Sequence, residues 1–176
     1  MRLEGKNILL VVPQKQFRKE EVFGPKKVFE DEGARVTIAS VELRTCRSIT
    51  EEAIEPDIAI SDINGEDYDA AVLSSGTSTP STFWKNEILS GIVAAMAQAG
   101  KVVAATSLST VVLAKAQLLD GQTATVYCLP EAIEALETEG AIYTSERLIV
   151  RGNLIMAEGP EEAQDFAEAV VTAISG

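Results

Sequence analysis

The chain has 176 residues and a mass of 18.8 kDa, enough for one domain and too little for two, so we expect residues 1–176 to form a single domain. Its 27 acidic and 15 basic residues give a net charge of −12, which argues against binding to nucleic acid or to an anionic membrane surface. Histidine is absent, which excludes Ser-His-Asp and Cys-His catalysis within the chain and any histidine-ligated metal. We expect no metal and no cofactor.

The two cysteines, Cys46 and Cys128, lie far apart and form no CxxC pair, so they indicate no zinc or iron–sulfur site. Two free thiols and one buried disulfide are the open alternatives. The first apolar run, residues 8–12, is too short for a signal peptide, and no stretch of about 18 apolar residues is available to span a membrane. We therefore expect a soluble, cytoplasmic protein that does not bind membranes.

Short apolar runs alternate with helical patterns along the chain. The runs are rich in β-branched residues and continuous, as is typical of strands buried on both faces. The predicted strands cover residues 7–12, 34–41, 68–76, 101–107 and 123–127. The predicted helices cover residues 20–33, 86–101, 108–121, 130–140 and 159–175. Gly24 and Pro25 should kink the first helix or delay its start.

Strands that alternate with helices of this length predict βαβ units and a three-layer α/β sandwich around a mostly parallel sheet. Residues 42–64 suggest a small hairpin or an extended excursion, and residues 142–159 suggest a hairpin that turns at 151–153. In such folds the functional site lies at the carboxyl ends of the strands. This rule selects the three loops at residues 13–21, 74–82 and 106–110.

Ser107 stands where a predicted strand runs directly into a helix. This is the context of a nucleophile elbow, a tight turn that presents one side chain above the sheet. The literal GxSxG pattern is missing, because the flanking residues are Ala105 and Ser109. Serine is also a common N-cap at a helix start, so a capping role and a nucleophile role both stay open.

Four segments of the chain carry a family resemblance. They are FRKEEVFGPKKVFEDEGARVTIAS (17–40), YDAAVLSSGTST (68–79), AGKVVAATSLSTVVLAKAQLLDGQTAT (99–125) and RLIVRGNLIMAEGPEEAQDFAEAVV (147–171). In this order they resemble FxxxExxxPxxxLxxAGxxVxxAS, YDALVxxGGxGS, AGKPVAAICHGPxxLAxAGLLKGxxAT and VVDGNLITARGPxAAxEFAxAIV of the ThiJ/PfpI superfamily. That superfamily includes the Parkinson-linked deglycase and chaperone proteins, PfpI-type peptidases and glutathione-independent glyoxalases. The resemblance implies a flavodoxin-like domain, related to class I glutamine amidotransferases, in a homodimer or higher oligomer.

The resemblance also implies which residues form the site. The family's reactive cysteine falls on Ser107, and its helix glutamate falls on Glu21. The remaining implied positions are the backbone N–H groups of Gly76 and Leu108 as an oxyanion hole, and Ser75, Thr77, Thr106 and Arg18 as pocket residues. Lys15, Arg18 and Lys19 place positive charge near this mouth, either as a solvated loop or as a rim that attracts a carboxylate or phosphate ligand.

Serine at the cysteine position changes the chemistry, because a hydroxyl stays protonated at neutral pH and needs a base within hydrogen-bond reach. One hypothesis is a degenerate catalytic site that binds a small polar ligand or a partner protein in a stress or protein-quality role. The alternative is a hydrolase or a glyoxalase or deglycase-type enzyme that uses Ser107 with Glu21. A third interpretation is that the serine was introduced in place of a cysteine. Against it, Thr106 and Thr110 also differ from the family's usual Ile and Pro, so the departure is not confined to one position.

Three geometric expectations follow. Ser107 should have a positive φ, its Oγ should lie within hydrogen-bond distance of the Glu21 carboxyl, and burial should raise the Glu21 pKa.

Overall fold

The computed structural model describes residues 1–176 and contains twelve strands and six α-helices. The strands are β1 (Asn7–Val11), β2 (Lys15–Phe17), β3 (Arg35–Ser40), β4 (Cys46–Ser48), β5 (Ala53–Ile54), β6 (Ile58–Ala59), β7 (Ala70–Leu73), β8 (Val102–Thr106), β9 (Thr123–Ala124), β10 (Ile142–Tyr143), β11 (Leu148–Arg151) and β12 (Leu154–Ala157). The helices are α1 (Lys19–Asp31), α2 (Thr79–Thr82), α3 (Glu87–Gln98), α4 (Thr110–Lys115), α5 (Pro130–Thr138) and α6 (Ala163–Ser175). The predicted alternation of strands and helices is confirmed.

Seven strands form the central sheet in the order β11–β12–β8–β7–β1–β3–β6. Every neighbouring pair is parallel except β11–β12, which is an antiparallel hairpin. In β1, Ile8 and Leu10 enter the core on one face of the sheet, while Leu9 and Val11 enter the core on the other. Both faces are therefore buried, because successive side chains of a strand point to opposite sides.

Helices cover both faces of this sheet. On one face α1 and α6 pack together and bury Val22, Phe29 and Phe166 against the strands. On the other face α3, α4 and α5 bury residues such as Val93 and Leu136. These two cores confirm the three-layer α/β sandwich with a flavodoxin-like, mostly parallel sheet.

The first helix differs from the sequence expectation. Helix α1 begins at Lys19 and continues through Gly24 and Pro25 to Asp31, so the expected late start is wrong. Proline removes the hydrogen bond that its own N–H would donate four residues back, and its ring crowds the carbonyl at that position. Pro25 is buried, and its packing offsets that loss.

Two further elements are shorter than the apolar pattern suggests. Helix α4 ends at Lys115 rather than at residue 121, because Gln117 adopts a left-handed φ of 62° that terminates the helix. The strand expected at 123–127 pairs only over β9, with β10. The turn at Gly152 in the β11–β12 hairpin and the β4–β5 hairpin within residues 42–64 are both present.

No helix is both long enough and apolar enough to cross a membrane.

The strand order determines where the three selected loops meet. The chain goes from β1 to β3 on one side and later places β7 on the other side of β1, so the connections diverge between β1 and β7. Such a switch point opens a crevice at the carboxyl ends of the strands. Here those ends are Val11, Leu73 and Thr106, and the loops that follow them form the candidate site.

Candidate active site

Ser107 lies at the sharp turn between β8 and the helical segment that follows it. Thr106 still has an extended φ of −114°, whereas Ser107 has a φ of 51° and begins a single 3-10 turn over Ser107–Ser109. A left-handed φ is uncommon for a residue with a side chain and is found at strained functional turns. The positive φ expected for an elbow is confirmed, and Ser107 is not an N-cap, since it makes no capping hydrogen bond to α4.

Glu21 in the first turns of α1 meets this elbow. The Ser107 hydroxyl donates a 2.6 Å hydrogen bond to Oε2 of Glu21, and the Thr106 hydroxyl donates to Oε1. All three side chains are fully buried. The expected contact between Ser107 and Glu21 is therefore present, and each carboxyl oxygen has its own hydroxyl partner.

Burial controls the ionisation of Glu21. Loss of hydration raises the pKa of this carboxyl from 4.5 to about 7, because it penalises the charged form. The hydrogen bonds from Ser107 and Thr106, and the positive charge of Arg18, oppose that rise. The expected rise of the Glu21 pKa is therefore present, with burial as its largest cause.

The two N–H groups expected to form an oxyanion hole already have partners. The Leu108 N–H donates to Oγ of Ser75 at 3.2 Å, and the Gly76 N–H donates to Oγ1 of Thr79 at 2.9 Å. Both acceptor hydroxyls are buried, and they lie 3.4 Å from each other. A substrate oxygen would have to displace these hydroxyls before it reached either donor.

Gly76 is required by close backbone approach. A Cβ at this position would lie 2.2 Å from the carbonyl oxygen of Gln16 and 2.7 Å from Cα of Phe17. An isolated bridge joins Gly76 to Phe17, and the Arg18 N–H donates to the Ser75 carbonyl at 2.9 Å. These contacts hold the loop after β1 against the loop after β7. Helix α1 follows the first of these loops, so Glu21 lies next to the elbow.

Gly159 lies next to the Ser107 hydroxyl, Tyr127 lies next to Gly159, and Arg18 stacks on Tyr127. The guanidinium of Arg18 lies 4.9 Å from the centre of the Tyr127 ring, in a cation–π contact. A Cβ at Gly159 would lie 3.5 Å from Cδ2 of Tyr127 and 3.8 Å from Oγ of Ser107. A cleft of about 210 Å³ lies outside Tyr127 and Gly159, but Ser107 itself has no exposed surface.

Tyr127 and Trp84 also belong to the site, although the sequence analysis assigned neither of them a role. The Tyr127 N–H donates to the Ser107 carbonyl at 3.3 Å, and the Trp84 Nε1–H donates to the Leu108 carbonyl at 2.8 Å. Both contacts hold the backbone of the elbow. The only signal in the sequence that could have identified Tyr127 as a site residue is its position at the end of a predicted strand.

Other predicted residues lie outside the buried centre. Thr77 is exposed and its hydroxyl bonds to Gln16, so it does not line the Ser107 pocket. Two lysines on the elements next to the elbow are engaged elsewhere: Lys115 pairs with Glu139 at 3.5 Å and Lys101 donates to the Gly65 carbonyl at 2.8 Å. The only titratable side chain that forms a hydrogen bond with the Ser107 hydroxyl is Glu21.

The cysteines take no part in this arrangement. Cys46 is buried and Cys128 is exposed, and both are free thiols, so the alternative of a disulfide is excluded. No group of three or more histidine, cysteine, aspartate or glutamate side chains is arranged to hold a metal ion.

The chain resembles known proteins over almost its entire length. The model of the DJ-1/PfpI family matches residues 6–173. An uncharacterised protein of Methanocaldococcus jannaschii is 39% identical over 172 residues, which cover 98% of this chain and 84% of that protein. A deglycase of Pyrococcus horikoshii is 27% identical over 154 residues, covering 88% of this chain and 91% of the deglycase.

A solved structure agrees with these sequence matches. The ThiJ/PfpI domain protein of Brachyspira murdochii superposes with a TM-score of 0.90 at 28% identity, covering 97% of both chains. The elbow, the buried glutamate and the switch-point crevice described above therefore occur in a chain that belongs to the DJ-1/PfpI family.

Proposed function

We propose that this DJ-1/PfpI protein has a degenerate catalytic site and acts by binding a small polar ligand or a partner protein. The observation that carries the proposal is the pairing of both candidate oxyanion donors. The N–H groups of Leu108 and Gly76 are bonded to the hydroxyls of Ser75 and Thr79. Stabilisation of a developing oxyanion is usually the largest single contribution to acyl and carbonyl chemistry, and here the donors are engaged by the chain itself.

The nucleophile is also poorly prepared. Ser107 is fully buried next to Gly159, and a serine hydroxyl needs a base to attack a carbonyl carbon. The only titratable side chain that hydrogen-bonds its hydroxyl is Glu21, which also accepts from Thr106 and has a pKa raised by burial. A carboxylate that is engaged by two hydroxyls is a weak base towards an alcohol.

Further observations support the setting of this role. The similarity to a protein named as a deglycase supports a stress or protein-quality role. The two free thiols support a reducing compartment, so we place the role in the cytoplasm. We also propose a homodimer or higher oligomer, and closed two-fold dimers are the commonest form of homo-oligomer.

The test is a set of turnover assays with matched variants. Methylglyoxal, a methylglyoxal-modified amino acid and a casein substrate are offered to the wild-type protein and to Ser107→Ala. We expect no turnover above background from either. The double variant Ser75→Gly with Ser107→Cys frees the Leu108 N–H and supplies a thiol, and should show more activity than Ser107→Cys alone. Wild-type turnover that Ser107→Ala abolishes would overturn the proposal.

The 2.6 Å contact between Ser107 and Glu21 supports a second candidate function, a hydrolase or a glyoxalase or deglycase-type enzyme. A general base works best when its pKa lies near the working pH, and the Glu21 pKa of about 7 meets that condition. Such an enzyme would lose activity in both Ser107→Ala and Glu21→Gln. Its rate would rise from pH 6 to pH 8 as Glu21 ionises, which distinguishes it from background hydrolysis.

A further inference from the structure

A basic cleft lies beside the small sheet formed by β2, β4 and β5. It has a volume of about 460 Å³ and is lined by eight residues, none of them apolar. Lys15, Arg44 and Arg47 supply three positive charges, and Glu51 supplies the only negative one. A cationic cluster of this kind is unusual for a chain whose net charge is −12. It shares no lining residue with the Ser107 site.

Two of these cations have no carboxylate partner. Lys15 makes no ion pair, and the Arg47 guanidinium donates only to the backbone carbonyl of Glu51, at 3.2 Å. Arg44 pairs with Glu42 at 2.6 Å, but both side chains are more than half exposed. An exposed pair is worth little and exchanges readily for another anion. The cleft therefore has unused capacity to bind negative charge.

The sheet register places two of these positive charges side by side. Lys15 of β2 is the direct partner of Arg47 in β4, and partners on adjacent strands stand about 4.8 Å apart with their side chains on the same face. Like charges in directly opposed positions destabilise a sheet. An anion held between Lys15 and Arg47 would turn this repulsion into two attractive contacts.

The wall that carries Arg44 is held in place from inside. Gln14 is nine-tenths buried, and its amide donates to the Arg44 carbonyl. Its Oε1 accepts from the Ser40 hydroxyl and from the Glu42 N–H, both at 3.0 Å. One buried side chain thus fixes the loop after β3 to the segment that leads into β2. The basic cleft is organised before any ligand binds.

The backbone around the cleft is strained. Gln16 has a φ of 56° and Glu51 has a φ of 73°, and these are two of the four non-glycine residues with positive φ in the chain. Both line the cleft. Left-handed conformations at residues with side chains concentrate at ligand-binding and catalytic positions, because the surrounding structure must enforce them.

We propose that the basic cleft binds a small multivalent oxyanion of the phosphate class, held between Lys15, Arg44 and Arg47. Arginine guanidinium groups match the geometry of phosphate oxygens and form paired charge-assisted hydrogen bonds with them. The lack of apolar lining gives no surface for an aromatic or aliphatic ligand body. The volume accommodates a group of the size of pyrophosphate. This proposal does not depend on the role of Ser107.

The test is calorimetric titration with pyrophosphate at low ionic strength, repeated with inorganic phosphate and with citrate. We expect pyrophosphate to bind most tightly. Lys15→Gln and Arg47→Gln should each weaken it about tenfold, since each removes one charge-assisted contact. The matched control is Arg35→Gln, which removes the same charge from an exposed position. Arg35 is the first residue of β3, at the end of the central sheet opposite to the cleft. It should change the affinity less than twofold.

A second readout locates the ligand. In amide NMR spectra, pyrophosphate should shift resonances of the basic cleft and leave those of Ser107 and Leu108 unchanged. Absence of binding would overturn the proposal, as would an equal loss of affinity in the Arg35→Gln control. Citrate binding as tightly as pyrophosphate would overturn the assignment to the phosphate class. All three substituted side chains are exposed, so the variants are expected to fold.

Discussion

Ser107 and Glu21 are 86 positions apart in the chain, yet their side chains share a 2.6 Å hydrogen bond inside the fully buried end of the sheet. The hydroxyl belongs to Ser107 at the elbow, and the carboxyl belongs to Glu21 on α1. Two properties of this pair can be tested separately: the pH dependence of stability and the access of reagents to Ser107. Glu21 controls how stability depends on pH, and the residues that cover Ser107 control whether anything reaches it.

The first prediction concerns pH. The Glu21 pKa is raised from 4.5 to about 7, so the folded state holds a proton that the unfolded chain releases above pH 4.5. The free energy of unfolding should fall as pH rises through this interval, and the penalty should reach about 3 kcal/mol above pH 7. Glu21→Gln should remove this dependence. Urea unfolding at pH 4.5, 6 and 8 checks it.

At pH 8 the Gln variant should be the more stable protein, while at pH 4.5 the two should differ little. A variant whose stability follows the wild-type pH profile would show that Glu21 is not the titrating group. Glu20→Gln is the matched control, because Glu20 is the exposed neighbour on the same helix turn.

The second prediction concerns access to residue 107. In a Cys128→Ser background, Ser107→Cys should react slowly with iodoacetamide and with peroxide, because residue 107 is fully buried and Gly159 and Tyr127 lie beside it. Adding Tyr127→Ala should raise the alkylation rate at least about tenfold. Peptide mass spectrometry measures the modification at residue 107 alone. Leu129→Ala, in the same loop but exposed, should leave the rate unchanged. Equal rates in all three proteins would show that Tyr127 does not cover the site.

The third prediction compares two glycines. Gly76→Ala places a methyl group 2.2 Å from the Gln16 carbonyl oxygen, so the two loops must separate, and the cost should be about 3 kcal/mol or more. Gly91→Ala adds a methyl group to an exposed position of α3 with no atom within 4 Å, and should stabilise the protein by about 0.5–1 kcal/mol. Thermal and urea unfolding report both values. A Gly76→Ala protein as stable as wild type would contradict the close approach.

The fourth prediction tests the hydroxyl that occupies the Gly76 N–H. Thr79→Val preserves the shape of the side chain but leaves this buried N–H without a partner, at a cost of about 1–3 kcal/mol. Thr79→Ser keeps the hydroxyl and loses only a methyl group, about 1 kcal/mol. Amide exchange at Gly76 should accelerate in the Val variant only. If the two variants behave alike in both measurements, the hydrogen bond contributes nothing.

The fifth prediction concerns assembly. Several large apolar side chains remain exposed, and β11 is an open edge strand of the central sheet. The exposed side chains are Met1, Leu43, Ile49, Ile88, Leu129, Ile142 and Val150. Light scattering at micromolar concentrations should therefore give about twice the 18.8 kDa of the single chain, in keeping with a closed two-fold dimer. A constant monomer mass over this range would contradict the proposed oligomer.

Local patterns in the sequence were sufficient for the layer order, whereas at Ser107 they left a capping role and an elbow both open. Continuous apolar runs marked β1, β7 and β8, and the direct passage from strand to helix marked Ser107 as the turn residue. The family motifs paired Ser107 with Glu21, and the contact is present. These features follow from short-range periodicity and from the spacing of the motif residues, both of which can be read from a single chain. Gln117, where α4 ends early, was missed because its left-handed φ leaves no clear mark in the sequence.

The tertiary structure alone decided what surrounds that pair. The family motifs gave Ser75 only a pocket position and Thr79 no role in the site, and only folding brings their hydroxyls within reach of the Leu108 and Gly76 N–H groups. The register that opposes Lys15 to Arg47 likewise joins two segments that no local pattern relates. Hydrogen bonds and charge contacts act over a few ångströms, so their partners are determined by how distant segments pack rather than by what stands next to them in the chain.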